Sequence, residues 1–368
     1  MAELKAGAAG APGFAGAPVA AGAPGSAGAS RETALEARGL TVDFPSGDGA
    51  IQAVRGVDFA LRRGECLGIV GESGSGKSVS ALAALGLLGR DAAVKGSILL
   101  NGQDVRSLAP SQLRAMRGTV VSMIFQEPSR SFDPIYSIGK TFEETLRVKD
   151  PGMSPAECRA RAALLLSEVH VPRAEDRLKS FPHQFSGGML QRIMIALALA
   201  NDPQVLIADE PTTALDVTIQ AEIVALLKEM QTRRRLSLIF ISHNLSLVGL
   251  IADRILVMYA GLVVETGPAQ EVLARPRSPY TRALLNALPA WGNHYSREKL
   301  ITIQGSVPDP TRPEPGCPFA PRCPLAADEC RAAIPPLVRD QDGRQVPADA
   351  VGVIDQTAYR CVFPGVKK

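Results

Sequence analysis

The sequence predicts an α/β protein: a mostly parallel sheet covered by helices, with smaller subdomains attached. Three observations carry this. Short continuous apolar runs recur at residues 66–70, 205–208 and 237–241, the mark of strands buried on both faces. Helical segments separate them, and strands alternating with helices imply parallel pairing. The first run leads directly into a glycine-rich loop and then an Ala/Leu-rich helix.

Each element has its own signal. Between residues 37 and 70, β-like runs at 40–44, 51–54, 57–61 and 66–70 alternate with turn residues and predict an antiparallel start. A further strand at 96–100 ends at the turn pair Asn101-Gly102, and 120–125 reads as a buried strand. Residues from about 137 to 178 carry helical periodicity and many charges, predicting a helical subdomain within about 127–190. These parts make one domain over 34–288. Composition changes near Pro289, and nine prolines fall between Gln304 and Pro336, which bars long helices and central strands there. A small, separate, loop-rich domain over 289–368 is expected. Residues 1–33 are mostly Ala, Gly and Pro, unlike a secretory signal, and are expected to be a disordered tail.

Composition excludes some roles. The net charge of +3 implies no strongly basic face, so nucleic acid is not an expected partner. The one tight cationic run, Arg233-Arg234-Arg235, reads as a solvated helix end. No stretch reaches the roughly 18 apolar residues of a membrane span, so any membrane role must come through partners. Cys66 and Cys158 stand alone and read as small buried apolar residues. Cys317, Cys323, Cys330 and Cys361 cluster in the last fifth of the chain. A reducing compartment is expected, which disfavours disulfides.

The chemistry concentrates in two segments. Gly71-Glu72-Ser73-Gly74-Ser75-Gly76-Lys77-Ser78 fits the phosphate-loop pattern G-x-x-x-x-G-K-S/T between a strand and a helix. Its glycines let backbone N–H groups face phosphate oxygens, Lys77 reaches the β- and γ-phosphates of ATP, and the Ser78 hydroxyl ligates Mg²⁺. The run 205–208 ends in Asp209-Glu210. Two acids at the tip of a buried strand are costly without a cation, so Asp209 is expected to hold Mg²⁺ through water and Glu210 to act as general base.

A second anion-binding helix start lies at Ser186-Gly187-Gly188, followed by Arg192. Here the chain resembles ABC ATPases, whose signature is Ser-Gly-Gly-x-x-x-Arg. The resemblance covers about residues 35–285. It implies a RecA-like parallel core with antiparallel β and helical subdomains. It also implies that Ser186, Gly187 and Gly188 cap the ATP bound by a facing subunit, so that two subunits sandwich two nucleotides. Other positions match in order. Gln126 corresponds to the glutamine that touches Mg²⁺, and Ala214-Leu215-Asp216 to the loop that communicates across the dimer. His243 corresponds to the switch histidine at the γ-phosphate, and Phe44 to the aromatic that stacks on adenine.

Within that family, a DNA-repair ATPase would carry a long coiled-coil insertion and a translation factor two cassettes; a single cassette without sustained heptads fits a transporter subunit. Residues 278–285, 303–310 and 316–323 resemble dipeptide/oligopeptide importer ATPases, with nickel, oligosaccharide or opine importers as alternatives. The resemblance implies a second ATPase subunit, often a non-identical homologue, two permease subunits and an extracytoplasmic solute-binding protein. It places the chain on the cytoplasmic face of the membrane, held by the permeases. Four thiolates suit a 4Fe–4S cluster, which the resembled importers are associated with; Zn²⁺ is the alternative. Cys323→Ser is expected to lose the iron and loosen the tail while leaving nucleotide binding at Lys77 largely intact.

Overall fold

The computed structural model describes residues 32–47, 49–213, 215–287, 302–340, 344–346 and 357–364. Of the expected tail over 1–33, residues 1–31 lie outside the described residues, as does Ala214, while Thr33 already begins a strand. Residues 32–368 belong to one compact unit.

In chain order, β1 (Thr33–Ser46) and β2 (Gly49–Arg62) form a hairpin, and β3 (Cys66–Val70) runs into the glycine-rich loop and α1 (Lys77–Ala84). Then come β4 (Ala93–Leu100), β5 (Gln103–Asp104), α2 (Pro110–Met116) and β6 (Val121–Ile124). A helical stretch holds α3 (Pro128–Ser131), α4 (Ile138–Lys149), α5 (Pro155–Glu168), α6 (Ala174–Arg177) and α7 (Gly187–Ala198). The chain continues as β7 (Val205–Asp209), α8 (Val217–Arg234), β8 (Ser237–Ser242), α9 (Leu245–Ile251), β9 (Arg254–Tyr259) and β10 (Leu262–Pro268). It ends with α10 (Ala269–Ala274), α11 (Pro279–Asn286), α12 (Asp328–Ala332), β11 (Val338–Arg339) and β12 (Ala358–Tyr359).

The central sheet has the order β11-β12-β10-β9-β3-β8-β7-β6. Its middle, β9-β3-β8-β7-β6, is parallel throughout. The apolar runs are continuous because each strand meets a different core on each face. Leu206 and Ala208 on β7, Leu238 and Phe240 on β8, and Ile255 and Val257 on β9 enter the core shared with the helices. Their alternates Val205, Ile207, Ile239, Ile241 and Leu256 enter the core under the antiparallel sheet. Side chains alternate across a strand, so both faces need apolar residues when both are covered. Phe240 is fully buried between its neighbours. Phe240→Ala is expected to lower unfolding stability by about 3–5 kcal/mol. Denaturant titration checks this, and a loss below about 1 kcal/mol would mean the helical core does not close on β8.

The second sheet, β2-β1-β4-β5, is antiparallel as expected. The short runs expected at 40–44, 51–54 and 57–61 are parts of two 14-residue strands. Gly39 and Gly56 have φ of 55° and 85° inside the strands. The β1/β2 register shifts between Ala37 and Leu40, beside Gly39. Glycine at positive φ inside a ladder makes a bulge, not a turn. Asn101-Gly102 does make the expected two-residue hairpin, with Leu100 paired to Gln103.

The helical stretch follows its sequence signals. Ser154 caps α5 in a capping box with Glu157, with Pro155 in the first turn. Ile138, Phe142 and Leu146 line one buried face of α4. Cys66 and Cys158 are buried and free, and burial pushes the Cys66 thiol up. The arginine run is an ion-paired helix end: Arg233 meets Glu229 at 3.1 Å, and Arg234 meets Asp202 at 2.8 Å and also Glu168. No helix among the described residues is long and apolar enough to cross a membrane.

The C-terminal segment differs from the expected separate unit. Strand β12 pairs with β10 and so joins the central sheet. Pro310 accepts a hydrogen bond from the Gln52 backbone N–H at 3.1 Å. Phe319 enters the helical core in an aromatic cluster with Tyr259 and Tyr280, ring centroids 5.4 and 5.3 Å away. Glu265 on β10 accepts from the backbone N–H groups of Arg277 and Ser278, fixing the start of α11; burial raises its pKa to about 7. The proline-rich segment buries only a small cluster of its own, Leu337, Val346 and Ala358, and through Phe319 it shares the core of the main body.

Candidate nucleotide site

The site forms where β3, β7 and β8 end on the same edge of the parallel sheet. Such edges present loop atoms beyond the carboxyl ends of strands, where α/β proteins bind ligands. The loop after β3 turns tightly. Gly76 has φ of 97°, and a Cβ there would stand 2.5 Å from the Ala53 carbonyl oxygen. Only glycine permits that approach. Ser75 is buried, while Ser73 is exposed and lines a cavity with Gly74.

Lys77 is buried, and its Nζ donates to the carbonyl oxygens of Gly71 at 2.8 Å and Glu72 at 2.9 Å. Burial lowers its pKa, and the nearby carboxylates of Glu210, Asp209 and Glu72 raise it in turn. The Ser78 hydroxyl donates to Asp209 Oδ1 at 2.9 Å. Burial raises the Asp209 pKa, the Ser78 bond lowers it, and the adjacent Glu210 raises it. A buried carboxylate beside a second carboxylate and a hydroxyl is a set of hard oxygen donors short of positive charge. That fits Mg²⁺.

Glu210 follows β7 with φ of 46°, a left-handed backbone that costs a non-glycine residue about 1–3 kcal/mol. Its N–H donates to the Ile241 carbonyl at 3.0 Å, tying it to β8. Three side chains converge on its Oε2: Thr213 Oγ1 at 2.8 Å, His243 Nδ1 at 3.2 Å and Gln126 Nε2 at 3.3 Å. The histidine bond, foremost, holds the Glu210 pKa below the usual carboxylate range, and the same bond raises that of His243. Lys77, Ser78, Gln126, Asp209, Glu210 and His243 therefore form one constellation. Gln126, expected on the metal, is placed on Glu210.

Other expected residues stand apart. Ser186 caps α7 by accepting from the Met189 N–H at 3.4 Å, and Ser186, Gly187 and Asp216 are exposed. Among the described residues, no hydrogen bond or ion pair joins Ser186, Gly187, Gly188 or Asp216 to the Lys77–Glu210 group. The glycines have a packing reason within the chain as well: a Cβ on Gly188 would lie 2.7 Å from Ile219 Cγ2. Phe44 is half-buried on β1 and packs against the core of the antiparallel sheet.

Residues 54–213 match the ABC transporter family, and residues 264–330 match the family described as oligopeptide/dipeptide transporter, C-terminal region. The oligopeptide transport ATP-binding protein OppD of Salmonella typhimurium is 45% identical over 84% of this chain and 91% of its own length. The chain belongs to the oligopeptide/dipeptide transport ATP-binding protein family. The dipeptide transport ATP-binding protein DppD of Escherichia coli is 46% identical over 83% of this chain and 93% of its own length. A bacterial ABC transporter cassette solved as a dimer superposes with a TM-score of 0.58 at 26% identity, covering 64% of this chain and 98% of that one. The same cassette fold has been seen bound to ADP and Pi, with the same TM-score. As a member of this family the chain is an ABC-type ATPase.

Two observations bear on the C-terminal region. The four cysteines are not preassembled as a metal centre: among the described residues no three His, Cys, Asp or Glu side chains form a group able to hold a metal ion. Burial raises the thiol pKa values of Cys317, Cys323 and Cys361, the last to about 11. The tail is also not independent of the phosphate loop. Arg322, next to Cys323, forms an ion pair with Glu72 at 2.6 Å. Thr213 was missing from the sequence reading; its signal is its place three residues after the acid pair.

Proposed function

We propose that the chain binds and hydrolyses ATP to power import of dipeptides or oligopeptides across the cytoplasmic membrane. The convergence of Thr213, His243 and Gln126 on one oxygen of Glu210, beside Lys77 and the Ser78–Asp209 pair, carries the ATPase reading. Backbone N–H groups of residues 73–78 cradle the phosphates, and Lys77 exchanges its loop carbonyls for the β- and γ-phosphate oxygens. Ser78 and Asp209 hold Mg²⁺, which when bound neutralises phosphate charge. Glu210, ionised at neutral pH, accepts a proton from the water whose oxygen attacks the γ-phosphorus as the bond to ADP breaks. His243 and Gln126 orient Glu210 and sense the γ-phosphate. Phe44 stacks on adenine.

Exposed Ser186, Gly187 and Asp216, with half-buried Gly188, complete the site of a facing ATPase subunit, expected as a non-identical homologue. Two permease subunits hold the pair at the membrane, and an extracytoplasmic binding protein delivers the solute. Peptide as the solute rests on the C-terminal family match and on the transport named for the relatives. The purified complex with its binding protein should show ATPase activity stimulated by peptides. Stimulation by nickel, an oligosaccharide or an opine in place of peptides would move the assignment to that solute.

We further propose that Cys317, Cys323, Cys330 and Cys361 close around a 4Fe–4S cluster, or Zn²⁺ in its place. The support is their clustering in the last fifth of the chain, with the Cys317 backbone N–H donating to the Cys330 carbonyl at 2.7 Å. The segment must draw together to bind it, since the ligand group is not preassembled. Anaerobically purified protein should contain iron and sulfide in equal amounts, near four of each. Zinc without iron would replace the cluster, and metal-free protein would remove the idea.

A further inference from the structure

The phosphate loop carries a charge of the wrong sign for its task. Glu72 is the second residue of the cradle, and its carboxylate already acts on the Lys77 ammonium. A negative charge this close opposes an incoming triphosphate unless something cancels it. The cancelling charge comes from far along the chain. Arg322 Nη1 donates to Glu72 Oε2 at 2.6 Å, and Nη2 to Oε1 at 3.1 Å. This two-pronged contact fixes orientation as well as charge.

The guanidinium is itself held from several sides. Its Nε donates to the Gln304 carbonyl at 2.9 Å, Nη2 to the Ile303 carbonyl at 3.2 Å, and Nη1 to the Tyr259 hydroxyl oxygen at 3.1 Å. It also lies 5.9 Å from the centre of the Tyr259 ring. Its side chain is only 5% exposed. Tyr259 ends β9, the neighbour of β3, from which the phosphate loop springs. The Glu72 main chain is pinned too, its N–H donating to the Tyr280 hydroxyl oxygen at 2.9 Å. On the other side of the loop, Ser73 and Gly74 share a cavity wall with Val307, Pro308 and Asp309 of the C-terminal segment.

We propose that Arg322 is a positioning residue for ATP binding: it cancels the Glu72 charge and holds the first half of the phosphate loop, making the C-terminal segment part of the nucleotide site. This rests on the reading of residues 71–78 as the ATP cradle. A contact that only glued the tail down would affect stability and leave the sign of the Glu72 charge irrelevant.

The test is MgATP binding to the full-length chain by calorimetry, with thermal unfolding recorded in parallel. Arg322→Met should weaken MgATP roughly tenfold, the scale of a lost charged hydrogen bond. Adding Glu72→Gln to Arg322→Met should restore most of that loss, because the uncancelled carboxylate is gone. Arg322→Lys, which keeps the charge without the fork, should fall between wild type and Arg322→Met and serves if the Met variant folds poorly. Unchanged affinity in Arg322→Met, or a double variant as weak as Arg322→Met, overturns the proposal. Lys77→Ala is the control. If it abolishes binding while Arg322→Met does not weaken it, the positioning role alone fails; if Lys77→Ala binds normally, the cradle reading fails with it.

Discussion

Glu210→Gln will bind MgATP with near wild-type affinity and, in the assembled transporter, hydrolyse it at least about 100-fold more slowly. The side chain has three neighbours on Oε2, from Thr213, His243 and Gln126. An amide keeps the shape and can still accept from Thr213. It cannot take a proton from water, and it removes the negative charge that favours protonation of His243. Lys77, Ser78 and Asp209 are untouched, so binding survives. With hydrolysis blocked, the two ATPase subunits should stay closed on ATP, seen as a stable dimeric form by size-exclusion chromatography. Hydrolysis at near wild-type rate would assign the base to another group.

The second large effect concerns completeness of the site. The isolated chain should be a poor ATPase, because the helix start at Ser186 is exposed and makes no contact with its own Lys77–Glu210 group. Donors aimed at developing charge are commonly worth about 100- to 1,000-fold in rate, so assembly with the second subunit should raise activity on that scale. Ser186→Arg in this chain puts a large side chain where the facing nucleotide is capped. With a non-identical partner, photoreactive ATP should then label the partner poorly while this chain labels normally. Full activity from a strictly monomeric preparation, or loss of labelling on this chain alone, would contradict the shared site.

Much of this arrangement was legible in the sequence for physical reasons. Strands β3, β7 and β8 announced themselves because burial on both faces demands an unbroken apolar run. Lys77, Asp209, Glu210 and His243 were readable because each follows such a strand, and parallel strands end on one edge. What was not legible depended on information that local pattern does not hold. The break expected between 54 and 57 is a bulge at Gly56 and not a turn, because glycine permits positive φ in both; only the strand partner decides which. Phe125 was expected to end a buried strand and is 42% exposed, since β6 stops at Ile124. The pairing of Arg322 with Glu72 spans 250 residues, and the joining of β12 to β10 nearly a hundred. Neither leaves a mark on periodicity. Proline density correctly ruled out long elements in the C-terminal segment, yet it carried no sign that Phe319 and Arg322 reach the main body.

Transport itself is the most direct test of the coupling between ATP bound here and peptide import. Proteoliposomes holding the complete transporter, with MgATP on the side of this subunit and a labelled peptide with its binding protein on the other, should accumulate peptide on the ATP side above its external concentration. Lys77→Ala in this chain, which removes the buried ammonium at the phosphate cradle, should abolish that accumulation. Peptide accumulation that persists without ATP, or at the wild-type rate with Lys77→Ala, would contradict the claim that ATP bound here drives peptide import.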